Sequence, residues 1–231
     1  FDAKDHVARM NQQTGVHSSV FGELWSGGLH KAISDIETLK NTVSNVPLTQ
    51  DFSTIQNFDY RTKFETVSNF ILTHEGRGAD RDLFFMKLGS WDHHSQLKTQ
   101  QANEFQSLNA ALDTFQKEMK AQGMWDQVTV VLTSEFARTL TANSGEGSDH
   151  AWGGNYFTMG GDVKGGQILG KYPEDMTLGG PYNIGRGRLI PHLSYESMMN
   201  GVAEWMGVEG KEDLDYCMPN RERAGAPLYD M

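Results

Sequence analysis

The chain has 231 residues, 38% hydrophobic and 22% charged, with a formal net charge of −10. That is a globular composition with enough apolar material for a real core, which excludes disordered and fibrous classes. Acidity without any run of Lys or Arg excludes a nucleic-acid footprint, and no apolar stretch approaches the ~18 residues of a membrane span.

Cys217 is the single cysteine, so no intrachain disulfide forms. The sequence opens on Phe1 rather than Met and has no signal-type apolar region, so it reads as a processed form or a fragment. Residues 1 to about 60 are polar and mostly helical in pattern, with Leu29, Ile33, Ile36 and Leu39 at helical spacing. "PLTQDFSTIQNFDY" reads as an irregular connector. Phe64, Val67, Phe70 and Ile71 then share one helical face, closed by Gly76.

"DLFFMKLG", bounded by "GRGADR" and Gly89, is a short continuous apolar run of the kind that forms a buried strand. From Thr99 to Gln122, Phe105, Leu108, Leu112, Phe115 and Met119 repeat at three and four, which predicts an amphipathic helix ending at Gly123. "QVTVVLTSEF" predicts a second buried strand. Strand, helix and strand at this spacing predict a βαβ unit with parallel strands. A further strand is expected at "NYFTMGG", a last helix at "YESMMNGVAEWMGV", and a loop-like tail from Glu209. The chain shows no internal repeat and no low-complexity tract.

In an open parallel sheet, ligands gather at the carboxyl ends of the strands. Asp92, His93 and His94 follow the first expected strand, Glu135 and Arg138 follow the second, and Asp149 and His150 lead into the third. Carboxylates and neutral imidazoles are the ligand set of Zn, Mn or Mg-like ions. Each cluster also has an ordinary reading. "WDHH" suits a solvated loop, Glu135 a helix cap, "SDH" an Asx-type turn, and Arg138 a structural ion pair. "GGDVKGG" lacks the Gly-Lys-Ser/Thr ending of a phosphate loop and is rejected as one.

"GSWDHHSQ", "LTSEFARTLTANSGEGSDHAWGGNYFTMGGDVKGG" and "RLIPHLSYESMMNGVAEWMGV" together resemble a family of unknown function within the alkaline phosphatase/sulfatase superfamily, over about Phe64 to Val208. That resemblance implies a three-layer α/β sandwich with a mostly parallel sheet. It divides the chain into a helical segment 1–63, the C-terminal half of an alkaline-phosphatase-like domain at 64–208, and a tail 209–231. It implies a divalent metal (Zn, Mn, Mg or Ca) on Asp92, His94 and His150, with Glu135 and Asp149 contributing nearby, His93 as spacer and Trp91 packing beside the site. Phe136 stands where a second metal would need a histidine. Ala137 and Ala151 stand where the family usually has Gly. No stretch before Phe64 resembles the part that carries the superfamily's nucleophile.

The implied activity is metal-dependent hydrolysis of a small anionic phosphate or sulfate ester, with Arg138 as the anion clamp. The alternative is a non-catalytic structural or binding subunit that keeps the fold and one metal, its partners being a missing N-terminal half or other subunits. An ordinary α/β domain without metal stays as a third reading. Family resemblance leans toward an exported or organellar location.

Overall fold

A computed structural model describes residues 3–11, 19–44 and 46–221. They divide between two compact units, Phe1–Thr49 with Glu65–Phe84, and Gln50–Phe64 with Phe85–Met231. Among the described residues, no helix is long and apolar enough to cross a membrane.

The first unit holds helix α1 (Ala3–Asn11), α2 (Val20–Ser44), the later turns of α3 (Phe58–Leu72) and the short α4 (His74–Arg77). The apolar spacing expected of α2 is present, yet its burial is shallow: Leu29 and Ile33 are half-buried while Ile36 is 65% exposed. The helix through Phe64 and Ile71 ends at Leu72, earlier than Gly76 suggests, and Gly78 closes α4 in the left-handed region at φ 63°. Arg77 lies over the Phe70 ring, 5.1 Å from its centroid, and donates to the Phe70 carbonyl at 2.9 Å.

The second unit is built on α5 (Leu97–Ala121), which appears where the three-four spacing predicts it. Its buried face is Leu108, Ala111, Phe115, Glu118 and Met119. Phe64 meets Phe115 edge-on with centroids 5.5 Å apart. Glu118, fully buried, accepts from the Gln50 amide at 2.7 Å, which is how a carboxylate is accommodated in that core. Phe105, on the expected apolar face, is 51% exposed and packs edge-on against Trp91 at 5.0 Å.

The strands depart from expectation. β1 (Thr129–Leu132) and β4 (Phe157–Gly160) form where apolar runs predict them, but they pair with each other antiparallel, Thr129 opposite Gly160 and Leu132 opposite Phe157. β2 (Ala137–Arg138) and β3 (His150–Ala151) form a second antiparallel pair. Among the described residues the sheets are these two two-stranded pairs, and the three-layer sandwich with a mostly parallel sheet is not the fold. Among the described residues there is no βαβ unit either. "DLFFMKLG" belongs to no strand: it runs with alternating exposure, Leu83 84% and Phe85 92% exposed. Its apolar content matches a buried strand, but no neighbouring strand pairs with it to complete a ladder.

Helix α6 (Tyr195–Trp205) is capped by Ser194, whose hydroxyl accepts from the Ser197 amide. Helix α7 (Lys211–Cys217) occupies part of the tail expected to be loop. Arg221 ties it back, donating to Asp215 at 2.8 Å and to buried Asn200 at 3.0 Å.

Candidate metal centre

Residues 91–94 form a tight turn, in which the His93 amide donates to the Trp91 carbonyl at 3.1 Å. His93 turns inward and is 6% exposed, while Asp92 and His94 face out together, about half exposed. Behind them, Trp91 donates its indole N–H to the Tyr60 hydroxyl at 3.0 Å, fixing the strand of chain that carries the pair. Burial first, and the neighbouring Glu104 carboxylate after it, push the Tyr60 phenol up to about 12, offset in part by that indole bond.

The partner segment arrives through a backbone zipper. The Gln96 and Leu97 amides, orphans at the start of α5, donate to the carbonyls of Gly145 and Glu146 at 3.0 Å each. Ser148 donates to the His93 carbonyl at 3.3 Å, and Ser95 bridges Glu146 in antiparallel fashion. Gly147 is required by this approach, because a Cβ there would lie 2.1 Å from the His94 carbonyl carbon. The β2–β3 ladder then sets His150 directly opposite Arg138.

Three ligand atoms converge as a result. His94 Nε2 lies 3.0 Å from Asp92 Oδ1, His150 Nε2 lies 3.0 Å from the same oxygen, and the two Nε2 atoms are 3.2 Å apart. Ligands around a tetrahedral ion with bonds of ~2.0–2.1 Å stand about 3.3 Å apart, so the trio has the span of one face of such a site. Protons alone serve this triangle poorly, since one Nε2–H cannot satisfy two edges. A cation set just above its plane would be within reach of all three.

The other residues brought forward by the sequence take different places. Arg138 is largely enclosed, at 18% exposure. It donates to Asp92, to the Ser148 hydroxyl and carbonyl, and to the His93 carbonyl. Asp92 is raised by desolvation and lowered more by its bonds to Arg138 and His150, so its carboxyl ends below the usual range. Asp149 sits outside the trio, its Oδ1 3.3 Å from His94 Nδ1. Glu135 is exposed and also outside it. The Tyr156 phenol is raised, by burial first and by the charge of Glu135 after it. Phe136 stacks on the His150 ring, centroids 4.1 Å apart and planes 26° apart, forming a wall on one side of it.

Two contributors escaped the sequence reading. Asn143 donates to the His94 carbonyl at 2.9 Å and to Asp149 at 3.1 Å, while its own oxygen accepts from Gly145 and Gly147 at 2.9 and 3.0 Å. Arg186 reaches Asp149 Oδ2 at 2.5 Å. Asn143 first, and Arg186 next, hold the Asp149 carboxyl down at about 2. Arg186 comes from a second loop with the same design, in which Asn183 accepts from Gly185 and Gly187 at 3.0 and 3.2 Å. In both loops the residue between the glycines is left-handed, Glu146 at φ 57° and Arg186 at φ 58°. The signal was present: Asn-x-Gly-x-Gly occurs at 143–147 and again at 183–187.

A family model described as "Protein of unknown function (DUF1501)" matches residues 37–178, more than half the chain, and the chain belongs to that family. No alkaline phosphatase or sulfatase family matches. With the two small antiparallel sheets, this overturns the superfamily resemblance drawn from the motifs. No curated protein and no solved structure matches the chain.

Proposed function

We propose that this DUF1501 member binds one divalent cation through Asp92, His94 and His150, and uses it to hydrolyse an anionic phosphate or sulfate ester. The observation that carries the reading is the convergence of three ligand atoms at 3.0 to 3.2 Å. Three protein ligands of the His/Asp type leave a coordination position open, which is the pattern of a catalytic rather than a structural zinc site. The side chains agree with that openness, being 49%, 51% and 53% exposed for His94, Asp92 and His150. A cation there would polarise an ester oxygen as a Lewis acid. It would also supply local positive charge within a chain of net charge −10, which an anionic substrate otherwise meets as repulsion.

One observation favours the non-catalytic alternative, a binding or structural subunit holding the ion. Arg138 spends its guanidinium on Asp92, His93 and Ser148, so it has little left to offer a substrate anion. Under the catalytic reading Arg138 therefore sets the Asp92 carboxylate, and the anion is met by the cation.

Metal analysis and turnover test the two parts separately. Metal-depleted protein titrated with Zn or Mn should take up about one ion per chain, and the His94→Ala/His150→Ala double variant should take up none. Uptake that survives the double variant sinks the site. Metal-loaded protein that binds its ion yet turns over neither aryl phosphate nor aryl sulfate favours the binding subunit.

A further inference from the structure

We infer that Asp149 is the orienting carboxylate of this site: it receives the Nδ1 proton of His94 and so keeps His94 Nε2 turned toward Asp92 and His150. Its consequence for metal affinity rests on the cation reading above. The proton placement does not.

Three observations carry it. Asp149 Oδ1 lies 3.3 Å from Nδ1, the outer nitrogen of His94, while the inner nitrogen faces Asp92 and His150. Both oxygens of Asp149 already act as acceptors, Oδ1 from Asn143 at 3.1 Å and Oδ2 from Arg186 at 2.5 Å. A carboxylate so committed presents only acceptor character to the imidazole, and the proton of that contact belongs on Nδ1. Finally, the position of Asp149 is itself fixed by the chain. Its amide donates to the Thr139 hydroxyl at 3.0 Å and its carbonyl accepts from the Thr139 amide at 2.9 Å. Asn143 ties the carboxylate to the His94 backbone carbonyl, so the orienting group and the oriented residue share one anchor.

This arrangement is the one expected around metal-ligating histidines, whose second nitrogen donates to a carboxylate that sets the tautomer and ring direction. In this role Asp149 stands behind the ligand set, and the two Asn-x-Gly-x-Gly loops are its supports. The Asn143 loop presents it to His94, and the Asn183 loop delivers Arg186 to its far oxygen.

The test is long-range 1H–15N correlation spectroscopy on the full chain labelled at histidine nitrogens, first metal-free and then titrated with zinc chloride. Expected is a protonated His94 Nδ1 in both states, with zinc shifting the Nε2 resonance. Asp149→Ala should lose the Nδ1 preference and weaken zinc binding roughly 10- to 100-fold. Asp149→Asn, nearly isosteric and still able to accept through its amide oxygen, should fall between Asp149→Ala and the unaltered chain. Zinc coordination through Nδ1, or equal zinc affinity in folded Asp149→Ala, overturns the assignment. A chain that keeps the Nδ1 proton but binds no zinc overturns the cation reading and leaves the orientation standing. The reverse pattern, zinc bound at the trio with Nδ1 unprotonated, leaves the cation reading and removes this inference.

Discussion

The loops Asn143–Gly147 and Asn183–Gly187 are built alike and work differently. In each, an Asn side-chain oxygen gathers two Gly amides and the residue between those glycines is left-handed. What differs is the address of the Asn amide. Asn143 sends its N–H groups to His94 and Asp149, whereas Asn183 sends its own to the Met176 and Thr177 carbonyls. The same local device therefore binds the site directly in one case, while in the other it closes a turn that reaches the site only through the Arg186 side chain. Loop geometry alone does not make a site; the partner of one amide does.

Several substitutions break or sharpen that contrast. The largest effect is expected at Gly147→Ala, where the new Cβ meets the His94 backbone at 2.1 Å and forces the zipper apart. Urea denaturation should show a loss of about 3 kcal/mol or more, with metal uptake falling alongside. Asn143→Ala and Asn183→Ala should each lower stability by about 1–3 kcal/mol, since each leaves amide groups without partners. Only Asn143→Ala should also weaken zinc binding markedly by calorimetry; equal losses from both loops would remove the distinction drawn between them.

A third test uses acidity. Asp149 is held at about 2, below the ordinary value of ~3.9, so its ionised form is favoured by folding. The contribution is complete above the ordinary value and fades as pH falls toward about 2. The difference in melting temperature between the unaltered chain and Asp149→Asn should therefore shrink between about pH 5 and pH 2. A difference that holds constant across this range denies the shift.

Phe136→Ala should cost about 0.5–1.5 kcal/mol beyond lost area, through the stacking on His150. The smallest effect belongs to the exposed run: Leu83→Ser and Phe85→Ser should each change stability by no more than about 0.5 kcal/mol, read from thermal melts.

What the residues reveal without coordinates follows from how local each signal is. The spacing of Leu108, Phe115 and Met119 identifies α5 because helical periodicity is recorded in neighbouring turns. Val130 and Val131 identify a strand for the same reason, but a strand's apolar content does not name its partner or direction. The pairing of β1 with β4 thus lay outside what the run could say. "DLFFMKLG" misleads in the same way: Phe85 has the hydrophobicity of a core residue and 92% exposure. At the site, the residues that converge, Asp92, His94 and His150, carry chemistry visible in their side chains. Asn143 and Arg186 do not, since Asn and Gly in a loop read as ordinary turn chemistry until the motif is noticed twice.

The zipper also has a temporal meaning. The contacts His94–Asp149, His94–His150 and Asp92–His150 join residues 55, 56 and 58 positions apart, with all of α5 between them. Helix turns close over three or four residues, and loop closure across such a span is entropically slower. Closing the trio therefore carries a loop-entropy cost that the turns of α5 do not, and whatever holds these side chains together in the folded chain acts chiefly by slowing their separation.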